Sequence, residues 1–201
     1  MRKHSYYLLF LCYSLVILNI MGCQNKNSNN KNSTLDSLQV LNYSALGDSV
    51  SMAAQQALMK QLTQAMQSKG AAYAVNFCSE RAIPITDSLS NKYNCEIKRV
   101  ALRNRNPGNA LTEEDRIVFD EFAEDLINGV SPKSKVVSQP KTILFYKPIV
   151  LGMPACLQCH GKADALNPIA YAAIQSKYPE DQAIDFSLGD LRGMWKLTFT
   201  K

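Results

Sequence analysis

The order of the hydrophobic patterns predicts an α+β domain, in which an antiparallel sheet is flanked by helices. Two helical patterns come first along the chain, and strand-like segments follow with further helices inserted between them. The regular alternation of strands and helices that builds a parallel sheet is missing. A length of 201 residues and an apolar fraction of 46% suit one ordinary domain with a core of its own.

The start of the chain has the pattern of a lipoprotein signal peptide. Arg2 and Lys3 give it a positive charge, and an apolar run follows over residues 6–21. Gly22 and Cys23 end that run and resemble the lipobox of bacterial lipoproteins, in which the cysteine is lipidated and becomes the new N-terminus. The alternative is an uncleaved anchor helix. Either arrangement places the rest of the chain outside the cytoplasm, so we expect a lipid-anchored protein of the cell envelope, facing the periplasm or on the outer membrane.

Composition sets the domain boundaries and excludes one class of partner. Residues 24–34 carry only polar side chains, which predicts a flexible tether. We therefore divide the chain into a signal peptide at 1–22, a lipidated cysteine and tether at 23–44, and a folded domain at 45–201. Once the two signal-peptide cations are removed, the excess of Lys and Arg over Asp and Glu falls from 5 to 3. This mild charge, without a basic cluster that contains aromatic residues, argues against nucleic acid.

Two N-terminal helices open the predicted domain. An apolar residue at every fourth position predicts a helix over about 48–69, and Gly70 suits its C-terminal stop. A second helical pattern starts at Ala71. We expect Pro84 to break or restart it, with the last turns running to about Lys92.

Strands and two further helices complete the predicted fold. Alternating apolar residues predict strands over residues 95–102, 134–139, 142–150 and 194–200. Between them, Thr112 is a helix N-cap with Asp115 at the third position after it, and Gly129 closes that helix. Pro168 opens a short helix that ends near Tyr178.

The segment Cys156–His160 reads C-x-x-C-H, which is the attachment sequence of c-type haem. Two thiols at this spacing can reach the two vinyl groups of one porphyrin, and His160 then becomes the proximal iron ligand. A thioredoxin-like pair would need a βαβ setting, and a zinc site would need a second pair of ligands. A disulfide between Cys156 and Cys159 is the simplest alternative. The exported location favours one covalent haem c per chain.

The residues alone leave the sixth iron ligand open. His4 is lost with the signal peptide, so His160 is the only histidine of the mature chain and cannot be joined by a second. The remaining candidates are a lysine, no ligand at all, or one of Met52, Met59, Met66, Met153, Met194, Cys78 and Cys95. Cys78 lies on the apolar stripe of the second helix, where a buried cysteine is common. A free thiol in an exported protein is nevertheless open to oxidation, so its presence favours a functional role.

Five segments together resemble a bacterial family. They are residues 74–78 (AVNFC), 103–109 (RNRNPGN), 156–161 (CLQCHG), 178–183 (YPEDQA) and 189–193 (GDLRG). In this order they are similar to the c-type haem-binding domain of unknown function known as the Tll-type family. The resemblance extends over about residues 45–200. That domain also occurs as an extracytoplasmic sensor module on histidine kinases.

The resemblance implies a PAS-like fold and a ligand set. It implies haem c with His160 as the proximal ligand and Cys78 as the distal ligand. The sequence departs from the family pattern at Leu111, where proline is usual, and at Asp185, where glycine is usual; we expect both departures to affect loop geometry only.

Three arginines of the resembling segments, Arg103, Arg105 and Arg192, are candidate partners of the haem propionates, because guanidinium groups match carboxylates. A surface salt bridge is the alternative for each.

Electron transfer or another redox role with an unknown protein partner is the function we expect. A haem-based redox or gas sensor that binds a small gas ligand and signals through a separate partner is the alternative. A haem-bearing module that only binds a partner is a third. The sequence shows no acid/base pair placed for catalysis, so we do not expect an enzyme.

Overall fold

The computed structural model describes residues 35–201, apart from the side chain of Cys78. The predicted signal peptide, Cys23 and residues 24–34 lie outside this part of the chain. Within it, no helix combines the length and the apolar character that a membrane span needs.

The described residues contain four α-helices and four strands, which confirms the α+β class. In chain order these are α1 (Ser37–Tyr93), β1 (Glu96–Val100), α2 (Glu113–Ile127), β2 (Lys135–Ser138), β3 (Thr142–Val150), α3 (Leu157–His160), α4 (Pro168–Lys177) and β4 (Leu191–Thr200). The four predicted strands and the helices predicted after Thr112 and Pro168 are all present, with bounds shifted by a few residues.

The sheet is antiparallel throughout and has the strand order β1-β4-β3-β2. Trp195 on β4 stands opposite Arg99 on β1 and Lys147 on β3. The last strand therefore lies inside the sheet and bonds to a neighbour on each side.

Helices cover both faces of the sheet because successive strand residues point to opposite sides. One face packs against α1 in a buried cluster that contains Val50, Ala54, Phe145, Trp195 and Leu197. The other face packs against α2 in a second cluster that contains Phe119, Phe122, Leu144, Tyr146 and Met194. A methyl group added at Gly47 would overlap the ring of Phe145, so α1 lies unusually close to the sheet there.

Helix α1 begins earlier than the apolar pattern predicts. Asp36 is its N-cap, and its side chain accepts a hydrogen bond from the backbone N–H of Gln39 at 2.7 Å, while Gln39 Oε1 accepts from the Asp36 N–H at 3.1 Å. Residues 37–44, which the sequence analysis assigned to the tether, are therefore helical. The apolar periodicity failed to reveal this turn because Leu38 and Leu41 are exposed and bury no face.

Two predictions inside α1 have different outcomes. The interruption at Gly70 is confirmed: Gly70 has φ 78° and Lys69 has φ −143°, while helical geometry resumes on either side. The prediction that Pro84 breaks the helix is wrong, since the helix continues through it to Tyr93. In the turn around Pro84, the hydroxyl of Thr86 donates to the carbonyl of Ile83 at 2.9 Å, whereas the carbonyl of Glu80 receives no bond from the proline nitrogen.

A buried polar group joins α2 to the sheet. Asp115 completes the predicted capping box with Thr112, and Asp115 Oδ1 also accepts from Tyr146 Oη at 2.8 Å and from Lys196 Nζ at 2.7 Å. Burial by itself would raise the pKa of Asp115, but the bonds from Lys196, the Thr112 N–H and Tyr146 outweigh it and lower that pKa. The carboxylate is thus fully compensated in a site that is only 1% exposed.

Candidate cofactor site around Cys156–His160

The C-x-x-C-H segment folds into one tight turn. A 3₁₀ turn over Pro154–Cys156 leads into α3, and Cys156 and Cys159 are half-buried free thiols three residues apart on this turn. The Gly161 N–H closes the turn by donating to the carbonyl of Leu157 at 2.9 Å. A Cβ at Gly161 would lie 2.6 Å from that same carbonyl oxygen, so the turn requires glycine.

The His160 ring is held by a backbone carbonyl. Its Nδ1 lies 2.7 Å from the carbonyl oxygen of Ala183. A carbonyl can only accept, so Nδ1 carries the hydrogen and the lone pair is on Nε2. The ring also meets the ring of Phe186 edge-on, with centroids 6.3 Å apart. His160 therefore offers one nitrogen that is free to ligate a metal.

Burial and the positive charges around His160 keep its imidazole neutral. Burial is the largest cause, and together with the positive charges of Arg192, Arg105 and Arg99 it lowers the pKa of His160 to about 3, against the opposing bond to Ala183. Arg192 Nε lies 3.4 Å from His160 Nδ1. Because Nδ1 already donates to Ala183, this contact is a neighbouring charge and not a bond to a lone pair. The neutral form is the one that binds metals.

Arg105 ties the motif to the loop after α4. Its Nη2 donates to the carbonyl of Cys159 at 2.6 Å and to that of Ala183 at 3.2 Å. The same nitrogen lies 3.0 Å from Asp181 Oδ2, an ion pair whose angle is not that of a hydrogen bond. The Arg105 and Asp181 side chains are only 15% and 6% exposed. Arg105 Nε is buried and lacks a hydrogen-bond partner among the described residues.

The three arginines named from the sequence come together beside His160. Arg103 Nε donates to the carbonyl of Gln182 at 3.2 Å, and its guanidinium carbon lies 4.1 Å from the centre of the Phe186 ring. Arg192 Nη1 donates to the carbonyl of Arg103 at 3.1 Å. Burial, followed by the charges of Arg105 and Arg99, lowers the pKa of Arg192 to about 10, so it stays charged at neutral pH. Among the described residues, Arg103 and Arg192 form no ion pair with a carboxylate, and the site has a positive excess that suits an anionic ligand.

An open cleft lies between the motif and α1. Its volume is about 550 Å³, and it is lined by Ala71, Gln158, Ala165, Leu166, Asn167 and Pro168. Ala71 directly follows the interruption of α1, so the cleft joins the motif to the second part of that helix. Glu80 in this part lies 4.0 Å from Lys177 of α4.

The candidates for a sixth ligand differ in how far the structure describes them. The backbone of Cys78 lies in the second part of α1, and its side chain is outside the described part. Cys95 and Met194 are each packed in one of the two apolar clusters of the sheet. Met52 and Met153 are exposed. Cys95 is also a free thiol, and burial raises its pKa to about 11.

Sequence reasoning missed the groups of residues 181–186 that brace the motif. The Ala183 carbonyl orients His160, but a backbone group leaves no signal in the residue type. Asp181 lies in one of the five resembling segments, yet its pairing with Arg105 joins positions far apart in the chain. Asp185 has φ 58°, a backbone conformation that favours glycine, and its Oδ1 accepts from the Ala163 N–H at 3.0 Å. The Asp185 and Phe186 N–H groups bond the carbonyls of Gly161 and His160 at 2.8 and 2.9 Å.

Comparison with known proteins gives one family and one related structure. The family model Tll0287-like, described as Tll0287, matches residues 27–200. The crystal structure of the cyanobacterial heme-protein Tll0287 is similar, with 22% identity and a TM-score of 0.58, and the match covers 78% of this chain and 95% of that one. At this level of identity, the likeness concerns the fold alone. Curated proteins gave no match.

Proposed function

Since this chain belongs to the Tll0287-like family, we propose that it is an exported, membrane-tethered c-type haem protein with a role in electron transfer. The observation that carries the proposal is the pair of free thiols in one turn with His160, whose Nδ1–H is held by Ala183 so that Nε2 is available. A related structure is that of a heme-protein, which supports the assignment of the cofactor.

The residues of the site have distinct roles in this proposal. The Cys156 and Cys159 sulfurs would form the two thioether bonds, and His160 Nε2 would be the proximal ligand. Cys78 is the distal ligand that the family resemblance implies. Bound haem c supplies a one-electron iron couple. We expect no enzymatic turnover.

The positive side chains divide into two groups. Arg103 and Arg192 have charges without carboxylate partners among the described residues, and they suit the haem propionates. Arg105 already pairs with Asp181 and with two carbonyls. Its Nε, which is buried and lacks a hydrogen-bond partner among the described residues, still suits a propionate.

Covalent haem is tested by expression with a cytochrome c maturation system. We expect one haem per chain, seen as a mass increase that survives acid–organic extraction. Cys156→Ala with Cys159→Ala should lose this haem. Cys95→Ala is the matched control, because Cys95 is a buried free thiol of the core and should leave attachment unchanged. Haem that is fully extracted from the unaltered chain would refute covalent attachment.

A sensor that signals through a separate partner is the second candidate function. The observation that favours it is the interruption of α1 at Lys69 and Gly70, which separates the segment that carries Cys78 from the earlier turns. Such a break lets a ligand-bearing segment shift when its bond to iron is lost. Displacement of sulfur by carbon monoxide in the ferrous protein would favour sensing. Rapid redox cycling with both ligands retained would favour electron transfer.

A further inference from the structure

The backbone carbonyl of Ala183 accepts hydrogen bonds from two side chains of the site. The oxygen of Ala183 accepts from His160 Nδ1 at 2.7 Å and from Arg105 Nη2 at 3.2 Å. The Ala183 N–H in turn donates to Asp181 Oδ1 at 2.8 Å. Ala183 is completely buried. Both polar groups of this residue are therefore fixed by the Arg105–Asp181 pair, and the ring of His160 is fixed through them.

Arg105 also holds the motif side of the contact between His160 and Ala183. Its bond to the carbonyl of Cys159 at 2.6 Å holds the residue that directly precedes His160. One guanidinium thus spans the motif and the loop, and it sets the spacing across which His160 reaches Ala183. All three contacts use the terminal nitrogen Nη2, and the ammonium of a lysine would end one bond short of that position.

The pair acts on His160 through charge as well as geometry. Ion pairs that are removed from solvent interact more strongly than exposed ones, because the surroundings screen them less. The cation of Arg105 draws electron density from the Ala183 oxygen and weakens it as an acceptor for Nδ1–H. The carboxylate of Asp181 offsets that cation. A stronger acceptor makes the imidazole a better electron donor to a metal on Nε2.

From these contacts we infer that Arg105 and Asp181 are positioning residues for the proximal ligand, which they orient through Ala183. Arg105 raises and Asp181 lowers the reduction potential of the iron that His160 would bind. The inference rests on the proposed function, since it concerns the haem iron that His160 would bind. It adds to that function a means of setting the reduction potential from groups that do not touch the cofactor iron.

Paired charge deletions test the opposite signs. Removing the cation in Arg105→Gln should favour ferric iron and lower the reduction potential, because positive charge near the iron disfavours the more positive oxidation state. Asp181→Asn leaves Arg105 uncompensated and should raise the potential. We expect about a tenfold change in the ferric/ferrous equilibrium for each, which is about 59 mV for a one-electron couple.

Matched controls separate this effect from general charge and from unfolding. Arg116→Gln and Asp120→Asn alter an exposed ion pair on α2 whose side chains are 51% and 53% exposed, and they should leave the potential unchanged. Arg105→Lys keeps the charge but ends one bond short of Nη2, so it should keep a potential close to that of the unaltered chain and loosen the ring of His160. Circular dichroism verifies that each variant is folded. Shifts of the same sign in Arg105→Gln and Asp181→Asn would overturn the inference, because a merely structural pair predicts them.

Nuclear magnetic resonance of the His160 ring nitrogens provides a readout that does not depend on the potential. In the reduced full chain we expect a single Nδ1–H tautomer with a slowly exchanging proton, and faster exchange in Arg105→Lys and Arg105→Gln. Unchanged exchange in both variants would refute the positioning role. A chain that carries no haem would end the proposed function, and the ring spectrum of that chain would still decide whether Arg105 positions His160.

Discussion

The Nδ1 atom of His160 lies 2.7 Å from the carbonyl oxygen of Ala183, and the two residues are 23 positions apart. The contact fixes which ring nitrogen carries the hydrogen, and it sets the orientation of the imidazole relative to the thiols of Cys156 and Cys159. A short motif that would be mobile in a peptide is thereby held by the fold.

The turn of the motif should depend on the absence of a side chain at Gly161. In Gly161→Ala the new Cβ would overlap the Leu157 carbonyl oxygen, so the turn must shift. We expect the free energy of unfolding to fall by about 1–3 kcal/mol, as for overpacking, together with a lower yield of attached haem. Denaturant unfolding and haem quantification measure both effects. Gly152→Ala is the control, because its Cβ would meet no atom within 4 Å; equal effects in the two variants would contradict this explanation.

Replacement of the distal ligand should alter the spectrum of the iron. If Cys78 is the distal ligand, the ferric protein should have the low-spin electron paramagnetic resonance signal of thiolate ligation. Cys78→Ser should abolish that signal while the haem remains attached, because serine does not replace the thiolate. Cys95→Ala serves as the control and should retain the signal. A Cys78→Ser protein with the unaltered spectrum would remove Cys78 from the ligand set.

Stability at low pH should depend on Asp115. Its pKa in the folded state is below the ordinary value of 3.8, so its stabilisation is fully present above about pH 4 and is lost as the pH falls through the folded-state pKa. Asp115→Asn should lower the free energy of unfolding at pH 7 by about 3 kcal/mol, at the lower end for a buried pair, because Lys196 keeps 16% exposure. It should also flatten the pH dependence below pH 4. Denaturant titrations between pH 2 and 7 test this, and Asp120→Asn, on an exposed pair, should leave the slope unchanged.

The lipid anchor is predicted from the sequence alone, since Cys23 lies outside the described residues. Cys23→Ala should release the protein from membranes into the soluble fraction, because the lipidated thiol is removed. Membrane fractionation with detection of the chain measures the change. Cys12→Ala, within the predicted signal peptide, should leave the protein anchored. A Cys23→Ala protein that stays with the membrane would show that the lipobox interpretation is wrong.

Local patterns predicted most of the fold. The strands follow from alternation, which decides which face is buried, and the start of α2 follows from the Thr112–Asp115 capping box. The start of α1 was missed because Leu38 and Leu41 in its first turns are exposed, so only the cap at Asp36 marks it. The helix runs through Pro84, which is exposed, and the described contacts do not explain why it is not interrupted there.

The site was predictable only in part. The thiols and His160 follow from a short contiguous motif, and the three arginines follow from chemistry together with resemblance. The contacts that organise them, from Arg105 to Asp181 and from His160 to Ala183, join segments that only the folded chain brings together. A carbonyl carries no mark in the residue type, so no reading of the sequence could single out Ala183.

Strands β3 and β4 are direct neighbours, so everything between them leaves and re-enters the sheet at one place. Backbone bonds of 3.0 Å from Leu151 to Asp190 and of 2.8 Å from Gly189 to Leu151 close the neck of this excursion. The motif and α4 both lie within it. The length of the excursion adds little to the entropy cost of holding its two ends together, because the cost of closing a loop rises slowly with loop length. We therefore expect opening of this excursion, as maturation enzymes would require for access to the thiols, to leave the ladder between β3 and β4 intact.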